Sequence, residues 1–165
     1  MATLSNKIDF AAIIHVNNAN PNGDPLNGNR PRYDYAGYGE ISDVAIKRKI
    51  RNRLMQEGQL VFVQSDDSKL DDYPSLFKRA EGEIDKASWK DPKAFRKAVC
   101  EKWIDVRSFG QVFAYKGGGK DEDESKGKRK GDVKGDGVSV GIRGPVSIHP
   151  AFSVSPVLDL SLIHI

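Results

Sequence analysis

Lys7-Ile8-Asp9-Phe10-Ala11-Ala12-Ile13-Ile14-His15-Val16 is the stretch on which the fold turns. Ile8, Phe10, Ala12, Ile14 and Val16 alternate with Asp9, Ala11, Ile13 and His15, a period of two rich in β-branched side chains. Both faces are largely apolar, so the spacing predicts a central strand covered on both sides. On that reading His15 is a satisfied core histidine.

Downstream, periodicity is lost over residues 17–40, which hold six Asn, three Pro and four Gly together with Tyr33, Tyr35 and Tyr38. Pro restricts φ, Gly reaches positive φ and Asn tolerates the left-handed region, so this is turn chemistry repeated. A connection of roughly twenty residues far exceeds the usual length of about 4–6, and its aromatics and prolines argue for a shaped loop. Ser42 then caps a helix expected to run to Glu57, with Asp43 in its first turn and Gly58 just past its end. A strand is expected at 60–64, an acidic turn at 65–72, and helices at 75–83 and 92–103. Phe95, Val99 and Trp103 recur every four residues in the last of these, which carries Cys100 as a small buried hydrophobe. Residues 105–115 read as a strand with a glycine kink, and 138–157 return to strand-like alternation broken by Gly144-Pro145, Pro150 and Pro156. Between them, residues 116–137 carry seven Gly, seven bases and six acids, leaving only Ser125 and Val133. Such a segment buries no core and is expected to be a flexible charged loop.

The chain of 165 residues is 38% hydrophobic and 30% charged, which suits one domain with much of its length in loops or against a polar partner. No apolar run approaches the ~18 residues of a membrane helix, and the opening Met-Ala-Thr-Leu-Ser lacks the plan of a signal peptide, so neither membrane insertion nor secretion is expected. The single Cys100 excludes an intramolecular disulfide and a cysteine-based zinc site and fits a reducing, cytoplasmic compartment. Net charge is only +3, but it is concentrated. From Arg30 to Arg53, seven cations (Arg30, Arg32, Lys47, Arg48, Lys49, Arg51, Arg53) face three acids (Asp34, Glu40, Asp43), a local +4. Residues 57–105 reverse the balance, with eleven acids against nine bases.

On the helix after Ser42, Ile46, Ile50 and Leu54 form one apolar row, with Val44 and Met55 on its far side. Lys47 and Arg51 fall between these rows, and Arg48, Lys49 and Arg53 lie further round. Cations inside an apolar arc either snorkel to its margin or face a groove holding a polyanion. The loop Asn17-Asn18-Ala19-Asn20-Pro21-Asn22-Gly23-Asp24-Pro25 offers short amides and backbone donors that suit sugar–phosphate, or equally a chain of Asx turns. Asp24 could bind a metal or act as a base, but no second carboxylate or histidine stands at a defined spacing from it. His149 likewise has no partner at ligand spacing. Gly117-Gly118-Gly119-Lys120 lacks the spacing of a phosphate-binding loop, and Trp89, Trp103 and Phe109 read as core sooner than as base-stacking platforms. There is no catalytic triad, and no cofactor is indicated.

Five blocks in order carry a family resemblance: Asn20-Pro21-Asn22-Gly23-Asp24-Pro25, Asn29-Arg30-Pro31-Arg32-Tyr33-Asp34, Ser42-Asp43-Val44-Ala45-Ile46-Lys47-Arg48-Lys49-Ile50-Arg51-Asn52, Asp105-Val106-Arg107-Ser108-Phe109-Gly110 and Arg143-Gly144-Pro145-Val146. Together they resemble the Cas-seven backbone subunit of type I CRISPR surveillance complexes, closest to the type I-C (Csd-two) branch, over about residues 7–157. The resemblance implies an α+β fold, a modified RRM-type (ferredoxin-like) palm with long inserted loops. It also implies several copies in a helical backbone along one CRISPR RNA, alongside other CRISPR-associated subunits, with spacer bases presented to target DNA. A subunit that must hold any spacer should grip phosphate and sugar and leave base edges free. By the resemblance, RNA contact falls on Asn20, Asn22, Lys47, Arg48, Lys49 and Arg51, and also on Arg30, Arg107 and Arg143. Related type III subunits cut target RNA with a loop aspartate, which draws attention to Asp24, whereas the type I branch is a non-enzymatic scaffold. Two rivals stand beside this reading, a metal-dependent ribonuclease using Asp24 and a basic protein-interaction module.

Residues 1–159 are thus expected to form part of a palm, incomplete at its C-terminus, with the loop 17–40 and the charged loop 116–137 inserted. Residues 160–165, Leu-Ser-Leu-Ile-His-Ile, do not continue the family pattern and match one frame of a sequencing adapter, so an N-terminal fragment with a non-native tail is expected. A palm lacking strands leaves an open sheet edge and apolar surface. The 165-residue product expressed alone should therefore aggregate in size-exclusion chromatography; a monodisperse, cooperatively melting product would contradict this.

Overall fold

The computed structural model describes residues 4–115 and 138–157; the charged stretch 116–137 and the tail 160–165 lie outside the described residues. The described chain is α+β, with helices and small antiparallel sheets. It divides into two compact units, residues 1–45 with 150–165, and residues 46–149.

In the first unit, the Asn/Pro/Gly-rich stretch is ordered by its own short side chains. Strands β1 (Gly23–Asp24) and β2 (Arg30–Pro31) pair antiparallel around a 3-10 turn at Pro25–Asn27. Asp24 Oδ1 caps that turn by accepting the Leu26 N–H at 3.1 Å. Strand β3 (Tyr38–Ile41) pairs antiparallel with the last described strand, Ala151–Pro156, through a register shift between Tyr38 and Glu40. Asp34 Oδ1 turns the chain into β3 by accepting the N–H groups of Ala36 and Tyr38, both at 2.9 Å.

Helix α1 (Asp43–Gln56) follows, with Ser42 Oγ accepting the Ala45 N–H at its start. Its end is a Schellman turn, in which Gly58 at φ +74° donates to Met55 O while Gln59 donates to Leu54 O. The second unit then adds α2 (Leu76–Glu83), α3 (Pro92–Lys102), α4 (Ile104–Phe109) and the antiparallel pair β4 (Gly110–Tyr115) and β5 (Val138–Arg143). The remaining strand, Ala151–Pro156, is β6. Phe62, Ala80, Ile84, Phe95, Val99, Trp103, Val106, Phe113 and Val140 form the core of this unit. Phe62 lies 4.6 Å from Trp103 and 5.2 Å from Phe113, ring centre to ring centre, and Phe95 meets Phe113 edge-on at 5.2 Å.

Phe62 reaches that core from a segment with no regular structure. Its backbone bonds go instead to charged side chains. Asp105, 1% exposed in the first turn of α4, accepts the Phe62 N–H on Oδ1 at 2.7 Å and the Val63 N–H on Oδ2 at 3.0 Å. Arg51 Nε donates to the same Oδ2 at 3.0 Å. Arg79, 4% exposed, donates to Phe62 O, and Arg48 Nη1 donates to Val63 O, both at 2.8 Å. Arg79 is itself held bidentately by Asp71 at 2.8 Å on each arm. The N–H and C=O groups of Phe62 and Val63 thus find partners without a neighbouring strand.

Several sequence expectations need correction here. Residues 60–64 form no strand, for the reason just given. Residues 7–16 belong to none of the sheets among the described residues, and Ile8, Phe10 and Ile13 are exposed, as is His15, which is no core histidine. Alternation makes a segment suitable for a ladder, but the hydrogen bonds must come from a second strand. Residues 104–109 are helical before β4 begins, because the Asp105 carboxylate anchors them to the Phe62 segment. Cys100 is half-buried, packed against the core rather than within it.

Removing Asp105 leaves two backbone N–H groups and Arg51 without their acceptor. Asp105→Ala should lower unfolding free energy by about 3–5 kcal/mol, read from urea melts. The Arg79 guanidinium holds the Asp71 carboxyl below the usual carboxylate range, chiefly by hydrogen bonding. A depressed folded pKa means that this contribution is complete above about pH 4 and is lost as pH falls through the lower folded value. Melting temperature should therefore fall on acidification below about pH 4, less steeply in Asp71→Asn.

Candidate nucleic-acid interface

In the first unit, the sequence-predicted residues Asn20 and Asn22 lie just before β1, and Arg30 opens β2. Asn20 Nδ2 donates to Asn29 O at 2.7 Å, and Asn22 Nδ2 donates to Gly23 O at 3.2 Å. Asn22 Oδ1 accepts both the backbone N–H of Ser42 at 2.9 Å and its hydroxyl at 2.8 Å. The amide of Asn22 therefore orients the very hydroxyl that caps α1. Arg30 is exposed opposite Asp24 in the β1–β2 register. Tyr35 is fully exposed at the following turn, and Tyr33 and Tyr38 are partly so. The arrangement presents polar amides, one guanidinium and tyrosine rings on a turn-rich surface, a composition suited to sugar, phosphate and base faces.

In the second unit, the cations of α1 divide by their surroundings. Arg51, whose side chain is 13% exposed, points inward from the apolar arc, pairs with Asp105 and lies over the Phe109 ring at 5.2 Å. Arg48 is half-buried on Val63 O, and its pKa is lowered by burial first and by the neighbouring Arg51 charge second. Lys47 is half-buried and Lys49 is exposed. The two cations that sequence periodicity places inside the apolar arc thus include one, Arg51, that remains there because a buried carboxylate neutralises it. That carboxylate is 54 residues away, and helix periodicity carries no trace of it.

The two later sequence blocks meet. Gly110 pairs with Arg143 at the start of the β4–β5 ladder, and Val146 N–H donates to Ser108 O at 2.9 Å. Gly110 sits at φ +81° and ψ 167°, a region that only glycine occupies readily. A Cβ on Gly144 would fall 2.1 Å from Ser108 O, so bare backbone is required there too. This contact holds Arg107 and Arg143 on the surface, both exposed, with Arg107 Nη1 donating to Cys100 O at 3.1 Å. The sequence reading did not single out Arg79, Asp71 or Arg96. Arg96 shares a shallow recess of about 330 Å3 with Gly141, Ile142 and Arg143. An exposed Arg one helical turn before Cys100 was the available signal for it.

The remaining candidates have ordinary surroundings. Asp24 is occupied in capping its turn, and no group of three His, Cys, Asp or Glu side chains among the described residues could enclose a metal ion. His149 is exposed. Trp103 is buried, and Trp89 packs on the core against Phe95 at 5.0 Å, so both serve the interior. No helix among the described residues is long and apolar enough to cross a membrane. Gly117, Gly118, Gly119 and Lys120 lie outside the described residues.

Comparison with known proteins gives the family. A family model described as CRISPR-associated protein Cas7 matches residues 6–164. The CRISPR-associated protein Cas7 of Haloferax volcanii is 31% identical over 159 residues, covering 95% of this chain and 45% of that relative. The chain therefore spans under half the length of the curated relative it matches. With nearly its whole length matched by the family model, this chain belongs to the CRISPR-associated Cas7 family.

Proposed function

We propose that this chain is part of a non-enzymatic, RNA-binding backbone subunit of a CRISPR interference complex of the type I-C branch, working in the cytoplasm. Family membership is the observation that carries the reading. In it, several copies assemble in a helical backbone along one CRISPR RNA, beside other CRISPR-associated subunits, and spacer bases remain free to pair with target DNA. The subtype rests on the Arg143-Gly144-Pro145-Val146 and Asp105-Val106-Arg107-Ser108-Phe109-Gly110 blocks. The contact of those two blocks around Gly110 and Gly144 supports treating them as one element.

The RNA-facing residues of this proposal are Asn20, Asn22, Arg30, Lys47, Lys49, Arg107 and Arg143, through amides and cations rather than base-reading pockets. Arg48 and Arg51 each spend one N–H on the fold and keep further guanidinium donors for a phosphate. In this reading residues 1–159 form part of a modified RRM-type palm, and residues 7–16, apolar and exposed, pair with further strands of the palm.

The full-length protein titrated against labelled single-stranded RNA, with and without magnesium, tests the reading by anisotropy and by RNA integrity. Tight, salt-sensitive, sequence-tolerant binding to RNA that stays intact is expected. Lys49→Glu should weaken binding to all sequences alike and lower the salt slope by about 0.7 or more. Magnesium-dependent cutting abolished by Asp24→Asn would assign a nuclease instead, and absence of binding at low salt would reject both.

A further inference from the structure

Two Asn-Gly pairs stand on either side of Pro25 in the first unit, Asn22-Gly23 and Asn27-Gly28. An asparagine before glycine is a chemically weak link, because no side chain on the following residue shields its backbone nitrogen from the amide carbon. The fold treats the two pairs differently. Asn22 Oδ1 accepts from the Ser42 N–H at 2.9 Å and the Ser42 hydroxyl at 2.8 Å, and Asn22 Nδ2 donates to Gly23 O at 3.2 Å. Both ends of that amide are held. The Gly23 backbone is also crowded, since an added Cβ would collide with the Asn29 side chain. Asn27 and Gly28, by contrast, are exposed. The Asn27 amide has no hydrogen-bond partner among the described residues, and a Cβ on Gly28, at φ +60°, would meet nothing within 4 Å. The 3-10 turn Pro25–Asn27 buries no residue, so it can open without disturbing a core.

We infer that Asn27 is a site of spontaneous covalent modification, deamidating through a succinimide to aspartate and isoaspartate, and that the fold protects Asn22 from the same reaction. When the turn opens, hydroxide removes the Gly28 N–H proton and the nitrogen attacks Asn27 Cγ. The Cγ–Nδ2 bond breaks, water returns a proton, and the amide nitrogen leaves as ammonia. Water then adds to either carbonyl of the succinimide ring. Opening at Cγ gives aspartate, whereas opening at the main-chain carbonyl gives isoaspartate, whose backbone runs through Cβ and Cγ. Nothing is oxidised or reduced. Either product places a new carboxylate in the turn between Asp24 and Arg30, which face each other in the β1–β2 register. The isoaspartate form also lengthens the backbone by a methylene inside that short connection, which alters the pairing of β1 with β2. Because the attacking nitrogen must lose its proton, conversion accelerates as pH rises.

The experiment incubates the full-length protein at mildly acid and mildly alkaline pH, native and unfolded in urea. Peptide mapping by mass spectrometry follows aspartate and isoaspartate at both positions over time. In the native protein Asn27 should convert at least about tenfold faster than Asn22, because releasing Asn22 breaks three hydrogen bonds. Conversion at Asn27 should be faster at the alkaline pH, and urea should bring the two positions to similar rates. Equal native rates would overturn the protection of Asn22. An intact native Asn27, in a protein whose unfolded form converts there, would show that the turn itself shields it and would overturn the site. A rate difference that persists unchanged in urea would trace to sequence rather than fold and would also overturn the inference.

Discussion

The carboxylate of Asp105 is the contact on which the second unit depends. It ties the first turn of α4 to the backbone of Phe62 and Val63, and it gives α1 a countercharge through Arg51. Three parts of the chain distant in sequence are thereby fixed around one buried group. The cost of burying it is met by two backbone N–H bonds and one charge-assisted bond, leaving neither oxygen unused. Phe62 can then enter the aromatic core from an irregular segment, where a strand would have needed a neighbour.

This arrangement changes how the basic helix should be understood. A local charge of +4 between Arg30 and Arg53 looks like one uniform polyanion surface when read as composition. Folded, the cations do different work. Arg51 and Arg48 hold buried backbone and carboxylate, whereas Lys49 faces water. Substituting Arg51 would disturb packing and binding together, so Lys49 is the cleaner probe of nucleic-acid contact.

The same division runs through the turn-rich stretch. Asn22 combines the two roles left open by its composition, since its side chain is a structural staple for Ser42 and also sits in a loop of exposed amides. Asp24, attractive as an isolated loop carboxylate, caps a turn. In the later blocks, Gly110 and Gly144 allow two backbones to touch, and the exposed Arg107 and Arg143 are carried on the elements that this contact joins. A motif that suggests ligand binding in sequence can thus be, in part, the packing that places the ligand-binding side chains.

By itself the sequence determined the local elements and the family. The Ser42 cap, the glycine stop at Gly58, the four-residue spacing of Phe95, Val99 and Trp103, and the strands within 138–157 all follow from short-range rules of capping, periodicity and turn chemistry. The ordered blocks sufficed for family membership because they are read along the chain. Tertiary structure alone decided which segments became strands and which cations remained available. Residues 7–16 alternate like a strand and residues 60–64 are apolar like one, yet neither joins a ladder among the described residues. A strand is completed by hydrogen bonds from elsewhere, and for Phe62 and Val63 those bonds come from Asp105, Arg79 and Arg48 instead. Likewise, whether an arginine faces a phosphate or a buried carboxylate depends on a partner tens of residues away, which helical spacing does not encode.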